Sequence, residues 1–293
     1  MVETQDLQAS RLFSVEGWVC LITGGGTGIG LMCAQALAAN GARVYITGRR
    51  FDVLQIATKV HSPKSGPGKI TPLGPCDVTS KDSLASLVTS LSALESRLDL
   101  LVCSAGISGP KASPSSTSAS TLAHTLWEAE SPSAWSDVFN TNVTAVYFTT
   151  LAFLSLLQAA STQSGHMSGN VIVISSMSGI IRHSQGHFAY NAAKGATVHL
   201  TKLMSTEFQK TGVRVNSIAP GYFPSEMTTG GSDERGKSEL SDEKVRGKGH
   251  PVPAGRAGSD EEMAMACLFL ARNRYVNGEV VVVDGGVRGQ VPG

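Results

Sequence analysis

The sequence predicts a single α/β domain of the doubly wound, Rossmann type, in which helices cover both faces of a seven-stranded parallel sheet. Short runs rich in β-branched residues recur along the chain, with helical stretches between them. Most of these runs lack apolar/polar alternation, which is typical of parallel strands that are buried on both faces. The seven runs lie at 18–23, 43–47, 69–73, 98–104, 170–176, 212–219 and 278–283.

Length and composition fit one such domain. The chain has 293 residues, of which 41% are hydrophobic and 16% charged, and one α/β core can reach this size. We assign 1–16 to an N-terminal extension and 17–293 to the catalytic domain. Trp127 and Trp135 are expected to be packing residues.

Two segments are predicted to be mobile surface loops because of their composition. The first, 108–121, is rich in Ser and Pro, and the second, 230–250, is charged and rich in Gly. The second belongs to a predicted substrate loop at about 222–255, because ligands of open α/β sheets bind beyond the carboxyl ends of the strands. This segment could be a lid over the substrate or a plain solvated loop, and the sequence leaves both interpretations open.

Charge and cysteine content exclude several classes of function. The net charge of +1 provides no extended basic surface for nucleic acid or for an anionic membrane. The five cysteines are odd in number and include no Cys-x-x-Cys pair, which argues against a zinc cluster and a disulfide framework, so no metal site is predicted. The N-terminus lacks the basic start and apolar run of a signal peptide, and a cytoplasmic location is expected.

A glycine cluster follows the first predicted strand. Residues 23–30 have the spacing TGxxxGxG and lead into an Ala/Leu-rich helical stretch. Glycines let the backbone approach a pyrophosphate, and the N–H groups at a helix N-terminus bind it. The spacing differs from the generic GxGxxG fingerprint, and a glycine-rich turn without a ligand is the alternative.

The end of the second strand indicates which nicotinamide cofactor is bound. NAD-binding folds place an acidic residue about 20 residues past the glycines, but this strand ends Thr47-Gly48-Arg49-Arg50. A guanidinium can hold a 2′-phosphate with two hydrogen bonds. NADP(H) is therefore favoured, with Arg49 as the first contact, unless both arginines are merely solvated residues at a helix start.

Tyr190 and Lys194 form the candidate acid–base centre. Their i, i+4 spacing in a predicted helix places both on one face. An ammonium group favours the phenolate, so we expect Lys194 to lower the pKa of Tyr190 from its ordinary value of about 10. The spacing alone occurs by chance in many helices.

Ser176 and Asn142 support this centre. Ser176 stands at the end of the fifth predicted strand, where its hydroxyl can donate to a carbonyl oxygen. Asn142 stands at the start of a long predicted helix, and we expect it to hold a group that relays protons to Lys194. Taken singly, Ser176 could be a strand-end cap and Asn142 a packing amide.

With these residues in place, the chain from about 17 to 286 resembles the short-chain dehydrogenases/reductases. Eight elements occur in the order of that family: TGGGTGIG (23–30), CDV (76–78), SAG (104–106), Asn142, SSMSG (175–179), YNAAK (190–194), NSIAPGYFPSEMT (216–228) and VVDGG (282–286). The PGYFPSEM run is similar to rhamnolipid-type β-ketoacyl reductases and to fungal reductases of secondary metabolism.

The resemblance implies site residues and an assembly. The implied catalytic residues are Asn142, Ser176, Tyr190 and Lys194. The implied cofactor contacts are Gly24, Thr27, Gly28, Ile29, Arg49, Arg50, Asp77, Val78, Ser104, Ala105, Gly106, Tyr190, Lys194, Pro220, Gly221, Phe223 and Ser225. The family also implies a homo-oligomer, a tetramer or a dimer.

One departure from the family pattern concerns the segment after the fourth strand. The family usually has Asn-Asn-Ala-Gly there, and this chain has Cys-Ser-Ala-Gly at 103–106. We expect weaker bracing of the sheet centre without loss of activity, because neither changed residue handles the proton or the hydride. Cys103 as a nucleophile is the less favoured alternative, since no basic partner is visible.

Together these observations predict an NADPH-dependent reductase of a small-molecule carbonyl substrate, with Tyr190 as general acid. Two alternatives stay open. The same site could oxidise a secondary alcohol or polyol with NADP+, because a catalyst serves both directions. A regulatory protein that binds NADP(H) without turnover is the alternative of another class.

Overall fold

The computed structural model describes residues 3–165, 167–247 and 251–291. At its centre lies a parallel seven-stranded sheet in the order β3-β2-β1-β4-β5-β6-β7. Its strands are β1 Val19–Thr23, β2 Arg43–Gly48, β3 Lys69–Pro75, β4 Leu100–Cys103, β5 Gly169–Ile174, β6 Val213–Pro220 and β7 Val280–Val283. The predicted fold class is confirmed, and each strand begins and ends within two residues of its predicted bounds.

Helices connect the strands and cover the sheet. They are α1 Ala9–Leu12, α2 Gly28–Ala39, α3 Phe51–His61, α4 Lys81–Ser92, α5 Ala119–Ala129, α6 Pro132–Phe139, α7 Ala145–Ser164, α8 Phe188–Phe208, α9 Glu226–Thr229, α10 Asp242–Arg246, α11 Asp260–Arg272 and α12 Val287–Gln290. A π-helical turn, Asn140–Thr144, joins α6 to α7, and a 3-10 turn, Met177–Gly179, follows β5.

The core has two halves, one on each face of the sheet. Helices α2 and α11 bury side chains such as Leu37 and Leu270 against one face. Helices α4 and α7 bury Leu87, Phe153 and Leu157 against the other. All residues of β1, β4, β5 and β6 are buried, which explains why their sequences lack alternation.

The strand order creates a crevice at one edge of the sheet. From β1 the chain moves outward to β2 and β3, and then it returns to place β4 on the other side of β1. The connections therefore diverge between β1 and β4, and their carboxyl ends form the switch point where ligands of doubly wound sheets bind.

Both predicted loops contain more helix than we expected. The segment 108–121 ends inside α5, and the segment 230–250 contains α10; residues 248–250 lie outside the described residues. The prediction for Trp127 is wrong, because this α5 residue is 82% exposed. Trp135 does pack, stacked on Phe139 with 6.3 Å between ring centroids.

One continuous helical stretch, 132–164, is long and apolar enough to cross a membrane, with a mean hydropathy of 1.6. Its residues Phe153 and Leu157 are fully buried in the core on one face of the sheet. The apolar composition of this stretch is therefore explained by a helix that packs against both the sheet and the neighbouring helices.

All five cysteines of the chain are buried free thiols.

Candidate active site

A cleft of about 550 Å³ lies at the carboxyl edge of the sheet, over the switch point between β1 and β4. The segments that follow β1, β2, β3, β4, β5 and β6 all line it. The lining includes Ser176, Tyr190, Lys194 and every residue predicted to contact the cofactor. Asn142 lies behind this lining. Two groups of residues predicted from separate sequence signals therefore share one cavity.

The glycine loop is built on backbone contacts that leave no room for side chains. A Cβ on Gly30 would lie 2.3 Å from the carbonyl oxygen of Gly24, and a Cβ on Gly24 would lie 3.0 Å from Ala105. The N–H of Gly24 donates to the carbonyl of Thr47 at 2.8 Å. The loop is thus held tightly against β2 and the segment after β4, with its backbone facing the cleft.

The N-terminus of α2 is open toward the cleft. Thr27 stands at the N-cap position in extended conformation, but its side chain makes no capping hydrogen bond. Its side chain instead lies near the carboxylate of Glu226 and makes a small contribution to lowering the pKa of that carboxyl. The first N–H groups of α2 are consequently available to an anion, as phosphate binding at a helix N-terminus requires.

The two arginines after β2 have different surroundings. Arg50 forms a two-pronged ion pair with Glu226, with distances of 3.2 and 2.6 Å, and the pair holds the pKa of Glu226 below its ordinary value. Arg49 is exposed at the rim of the cleft, and within the described ranges it forms no ion pair. Arg49 is therefore the guanidinium that can take a phosphate without first losing a partner.

Asp77 borders the cleft after β3. Its Oδ1 accepts hydrogen bonds from the N–H of Thr79 at 3.0 Å and from the Thr79 hydroxyl at 2.7 Å. These two bonds lower the pKa of Asp77, and the charge of Arg49 adds a smaller effect in the same direction. Asp77 is thus a fixed carboxylate that can accept hydrogen bonds from a ligand at this end of the cleft.

The segment that departs from the family pattern is braced by Thr23. Its hydroxyl oxygen accepts from the N–H groups of Ser104 at 3.2 Å and Ala105 at 3.4 Å. The thiol of Cys103 is buried beside Thr150, and burial raises its pKa to about 12. A thiol in that state is a poor nucleophile, which argues against a reactive Cys103.

Tyr190 and Ser176 meet at the other side of the cleft. Tyr190 lies in the first turn of α8, partly buried, and the Ser176 hydroxyl is near enough to its phenol to act on the pKa of Tyr190. The Oγ of Ser176 accepts the N–H of Ser178 at 3.1 Å. Gly179 permits this arrangement, since a Cβ there would lie 2.4 Å from the backbone of Lys194. The turn after β5 can therefore rest directly on α8.

The pKa of Tyr190 departs from our expectation. Burial raises it, and the nearby Ser176 hydroxyl opposes that rise. The Nζ of Lys194 lies 5.7 Å from the centre of the Tyr190 ring and donates to the carbonyl of Ile174 at 2.8 Å. Burial also lowers the pKa of Lys194 to about 8. In the protein alone, Tyr190 is thus a protonated phenol near neutral pH.

Asn142 lies in the π-helical turn rather than at the start of a regular helix. Its Oδ1 accepts from the N–H of Ile107 at 2.9 Å, and its Nδ2 donates to the carbonyl of Ile107 at 2.8 Å. Its backbone carbonyl accepts from the hydroxyl of Thr197 on α8 at 2.8 Å. Asn142 therefore ties the segment after β4 to α8, and the proton relay stays a prediction.

Sequence reasoning missed Glu226. This residue pairs with Arg50 after β2, lies beside Thr27 before α2, and accepts a hydrogen bond from Ser232 of its own loop. Arg50 and Glu226 are 176 positions apart, and no spacing pattern links them. The only signal in the sequence was the position of Glu226 directly after Ser225, inside a motif that we had assigned to the cleft.

Comparison with known proteins decides the family. A family model described as "Enoyl-(Acyl carrier protein) reductase" matches residues 24–288. The chain belongs to the short-chain dehydrogenase/reductase family. It is 41% identical over 289 residues to the short-chain dehydrogenase/reductase PhomF of Diaporthe leptostromiformis, an alignment that covers 97% of this chain and 95% of PhomF. As a member of this family, the protein is an oxidoreductase.

Solved structures of the family share the fold. The Pseudomonas aeruginosa RhlG/NADP active-site complex aligns with a TM-score of 0.74 at 31% identity and covers 94% of this chain and 98% of its own. A gluconate 5-dehydrogenase from Burkholderia cenocepacia in complex with NADP and tartrate aligns with a TM-score of 0.76 at 28% identity, covering 97% and 100%. Both are NADP complexes, in agreement with the predicted cofactor.

Proposed function

We propose that this short-chain dehydrogenase/reductase is an NADPH-dependent carbonyl reductase, which converts a ketone of the β-ketoacyl type or a related small molecule to a secondary alcohol. The observation that carries this proposal is the shared cleft, in which Ser176, Tyr190 and Lys194 lie with the glycine loop. An acid–base centre beside a dinucleotide loop suits transfer of a hydride and a proton to one C=O group.

NADP(H) fits the residues of the cofactor side. The glycines between positions 24 and 30 and the uncapped N-terminus of α2 suit the pyrophosphate. Arg49 suits the 2′-phosphate, because a guanidinium can bind phosphate with two hydrogen bonds. Arg49 is exposed and forms no ion pair within the described ranges that the phosphate would have to replace. When bound, the nicotinamide supplies the hydride.

The protein's own residues handle the substrate oxygen and its proton. Ser176 donates a hydrogen bond to the carbonyl oxygen, whose negative charge grows as the hydride arrives. Tyr190, a protonated phenol near neutral pH, gives that oxygen its proton. Lys194, held by the carbonyl of Ile174, offers a positive charge near the phenolate that remains.

A second candidate function is the oxidation of a secondary alcohol or polyol with NADP+. The observation that favours it is the likeness to the gluconate 5-dehydrogenase complex. In that direction Tyr190 must lose its proton before it can act as base, and its raised pKa disfavours this at neutral pH. We therefore place reduction first.

Other features of the proposal rest on family likeness. PhomF comes from a fungus, and a role in fungal secondary metabolism suits this chain. We also propose a cytoplasmic homo-oligomer, a tetramer or a dimer, and a substrate loop at about 222–255 whose first residues, Phe223 and Ser225, line the cleft. The segment before residue 17 is proposed as an N-terminal extension, whose last residues pack on the domain through the buried Val15.

The proposal is tested by mixing the purified protein with NADPH and a panel of β-keto esters, quinones and cyclic ketones. Loss of the nicotinamide absorbance with at least one of them is the expected result. A panel of polyols with NADP+ tests the reverse reaction. If NADPH binds but neither panel gives turnover, a regulatory protein that senses NADP(H) becomes the better interpretation.

A further inference from the structure

Gln185 has an unusual backbone conformation. Its φ of 54° lies in the left-handed region, and it is the one non-glycine residue with positive φ in the described ranges. A residue with a Cβ is strained there, and such strain persists only where the surroundings hold it. Gln185 lies between the Met177–Gly179 turn and α8, directly before Gly186.

The side-chain amide of Gln185 is hydrogen-bonded at both ends. Its Oε1 accepts from the hydroxyl of Ser178 at 2.6 Å, and its Nε2 donates to the hydroxyl oxygen of Tyr222 at 2.8 Å. Its backbone N–H donates to the Nδ1 of His183 at 3.2 Å. The two contacts of the amide are partly buried, where a lost hydrogen bond is not fully replaced by water.

The two partners of the amide belong to neighbouring loops on the catalytic side of the cleft, those after β5 and β6. On one side, the N–H of Ser178 donates to the Oγ of Ser176. On the other, Tyr222 follows Pro220 and Gly221, which line the cleft. Tyr222 also packs against Met177. One amide thus joins the loop after β5 to the loop after β6.

The loop around Gln185 has anchors of its own. The Nδ2 of Asn191 donates to the carbonyls of His183 and Ser184, both at 3.0 Å, and the N–H of Ala112 donates to the carbonyl of Gly186 at 2.8 Å. Removal of the amide therefore leaves the loop attached to α8. What it removes is the hydrogen-bonded connection between the loop after β5 and the loop after β6.

We propose that Gln185 is a positioning residue, whose amide fixes the hydroxyl of Ser176 relative to the loop after β6. The inference rests on the proposed carbonyl reduction. Because Ser178 supplies the hydrogen bond that Ser176 accepts, the proton of Ser176 is directed toward Tyr190 and the substrate oxygen. Without the amide, Ser178 loses its acceptor and the direction of the Ser176 hydroxyl is no longer fixed.

The test compares Gln185→Ala with Gln185→Glu and with Gln209→Ala, which alters an exposed glutamine at the opposite edge of the sheet. With NADPH and the most active β-keto ester, Gln185→Ala should lower kcat about tenfold or more, since a misdirected hydrogen-bond donor costs at least this much. The Kd for NADPH should change less than about twofold, as no cofactor residue is altered. Gln185→Glu keeps an acceptor for Ser178 and should recover most of kcat.

A second variant separates positioning from stability. Gln185→Gly relieves the backbone strain but also lacks the amide. Its kcat should therefore fall as far as that of Gln185→Ala, while its unfolding temperature should be higher than that of Gln185→Ala. Wild-type kcat in Gln185→Ala, or in Gln185→Gly, would overturn the proposal and leave Gln185 a structural residue. Recovery of kcat in Gln185→Glu is the result that a purely structural role does not predict.

Failure of the proposed function is distinguishable, because it is seen in the parent protein alone. If the parent reduces none of the carbonyl compounds, hydrogen exchange at the N–H of Ser178 still tests the role of Gln185. Exchange should be about tenfold faster in Gln185→Ala than in the parent, and unchanged in Gln209→Ala. Equal exchange in all three proteins would contradict the proposed positioning.

Discussion

The two sides of the cleft are built by different means. On the cofactor side, the loop after β1 is shaped by glycines that leave no space for a Cβ, and backbone hydrogen bonds to Thr47 hold it against β2. On the catalytic side, the loops after β5 and β6 and the start of α8 are held by side-chain hydrogen bonds among Ser176, Ser178, Gln185 and Tyr222.

This difference determines how each side responds to change. Backbone close packing has no tolerance for added atoms, so a single methyl group on the cofactor side displaces a whole loop. A hydrogen-bonded side-chain network keeps the backbone path when one member is lost, and the loss appears in the direction of one hydroxyl. We therefore expect cofactor binding and catalysis to be separable by mutation.

The largest expected effect is on catalysis alone. Tyr190→Phe removes the proton donor and should lower kcat about a thousandfold, within the range for a general acid. NADPH binding should stay near the parent level, as measured by fluorescence of the bound nicotinamide. Tyr275→Phe, on an exposed tyrosine, is the control. A Tyr190→Phe enzyme as fast as the parent would remove Tyr190 from the mechanism.

The reverse separation is expected at the glycine loop. The Cβ of Gly30→Ala would lie 2.3 Å from the carbonyl oxygen of Gly24, so the loop must shift. NADPH affinity should fall about a hundredfold, as is typical when a positioned group moves by about 1 Å. Titration calorimetry measures it, with Gly231→Ala as control because nothing lies within 4 Å of that site. Unchanged affinity in Gly30→Ala would argue against tight packing of the loop.

The third prediction concerns the pH dependence of stability on the catalytic side. Burial lowers the pKa of Lys194 to about 8, so between pH 8 and about 10 the unfolded state binds more protons and stability rises with pH. Lys194→Met lacks this dependence. The free energy of unfolding of Lys194→Met minus that of the parent should therefore decrease by roughly 3 kcal/mol between pH 7 and about pH 10.

Urea unfolding at several pH values measures this difference in free energy. The comparison of two chains cancels the groups they share, including Tyr190, whose raised pKa acts in the opposite sense at higher pH. Lys202→Met, on the exposed face of α8, should show no such trend. A parallel pH profile for the parent and Lys194→Met would contradict the shift.

A smaller effect is expected for the arginines. Arg49→Ala should weaken NADPH by about tenfold to a hundredfold, the equivalent of roughly 1.5 to 3 kcal/mol for hydrogen bonds to a charged group. NADH, which lacks the 2′-phosphate, should be affected much less. Arg50→Ala should cost less NADPH affinity, because Arg50 is already paired with Glu226. Equal losses for NADPH and NADH in Arg49→Ala would refute the phosphate contact.

The smallest effect is expected for Glu226→Gln. This partly exposed ion pair contributes about 1 kcal/mol or less, so stability should hardly change. NADPH affinity should rise about twofold to fivefold, because a carboxylate no longer competes with the phosphate for Arg50. The rise should be greatest at low salt. Weaker NADPH binding in this variant would mean that the ion pair shapes the site rather than competes for it.

The same difference explains what the sequence could predict. The seven strands and the glycine loop could be predicted from the sequence, because burial on both faces of the sheet and turns without space for a Cβ restrict the residue types directly. Tyr190 and Lys194 could be predicted from their i, i+4 spacing in a helix. The pairing of Arg50 with Glu226 was not, since it joins positions far apart in the chain. Nor was the network of Gln185, because Ser, Gln and Tyr are common residues and only the fold brings them together.

The pKa of Tyr190 shows a further limit of sequence reasoning. Spacing predicts that an ammonium lies near the phenol, but the effect on the pKa depends on distance and burial together. Here Lys194 bonds to Ile174 instead of the phenol, and burial dominates. Residue types alone could not have given the sign of that balance.

The buried thiols have a practical consequence for anyone who handles this protein. Cys76 lines the cleft, whereas Cys20, Cys33, Cys103 and Cys267 are buried away from it, and burial raises the pKa of Cys20 and Cys103. A thiol-modifying dye added to a Cys76→Ser variant should therefore react only as fast as the chain opens. In that variant the rate of labelling becomes an intrinsic clock for unfolding.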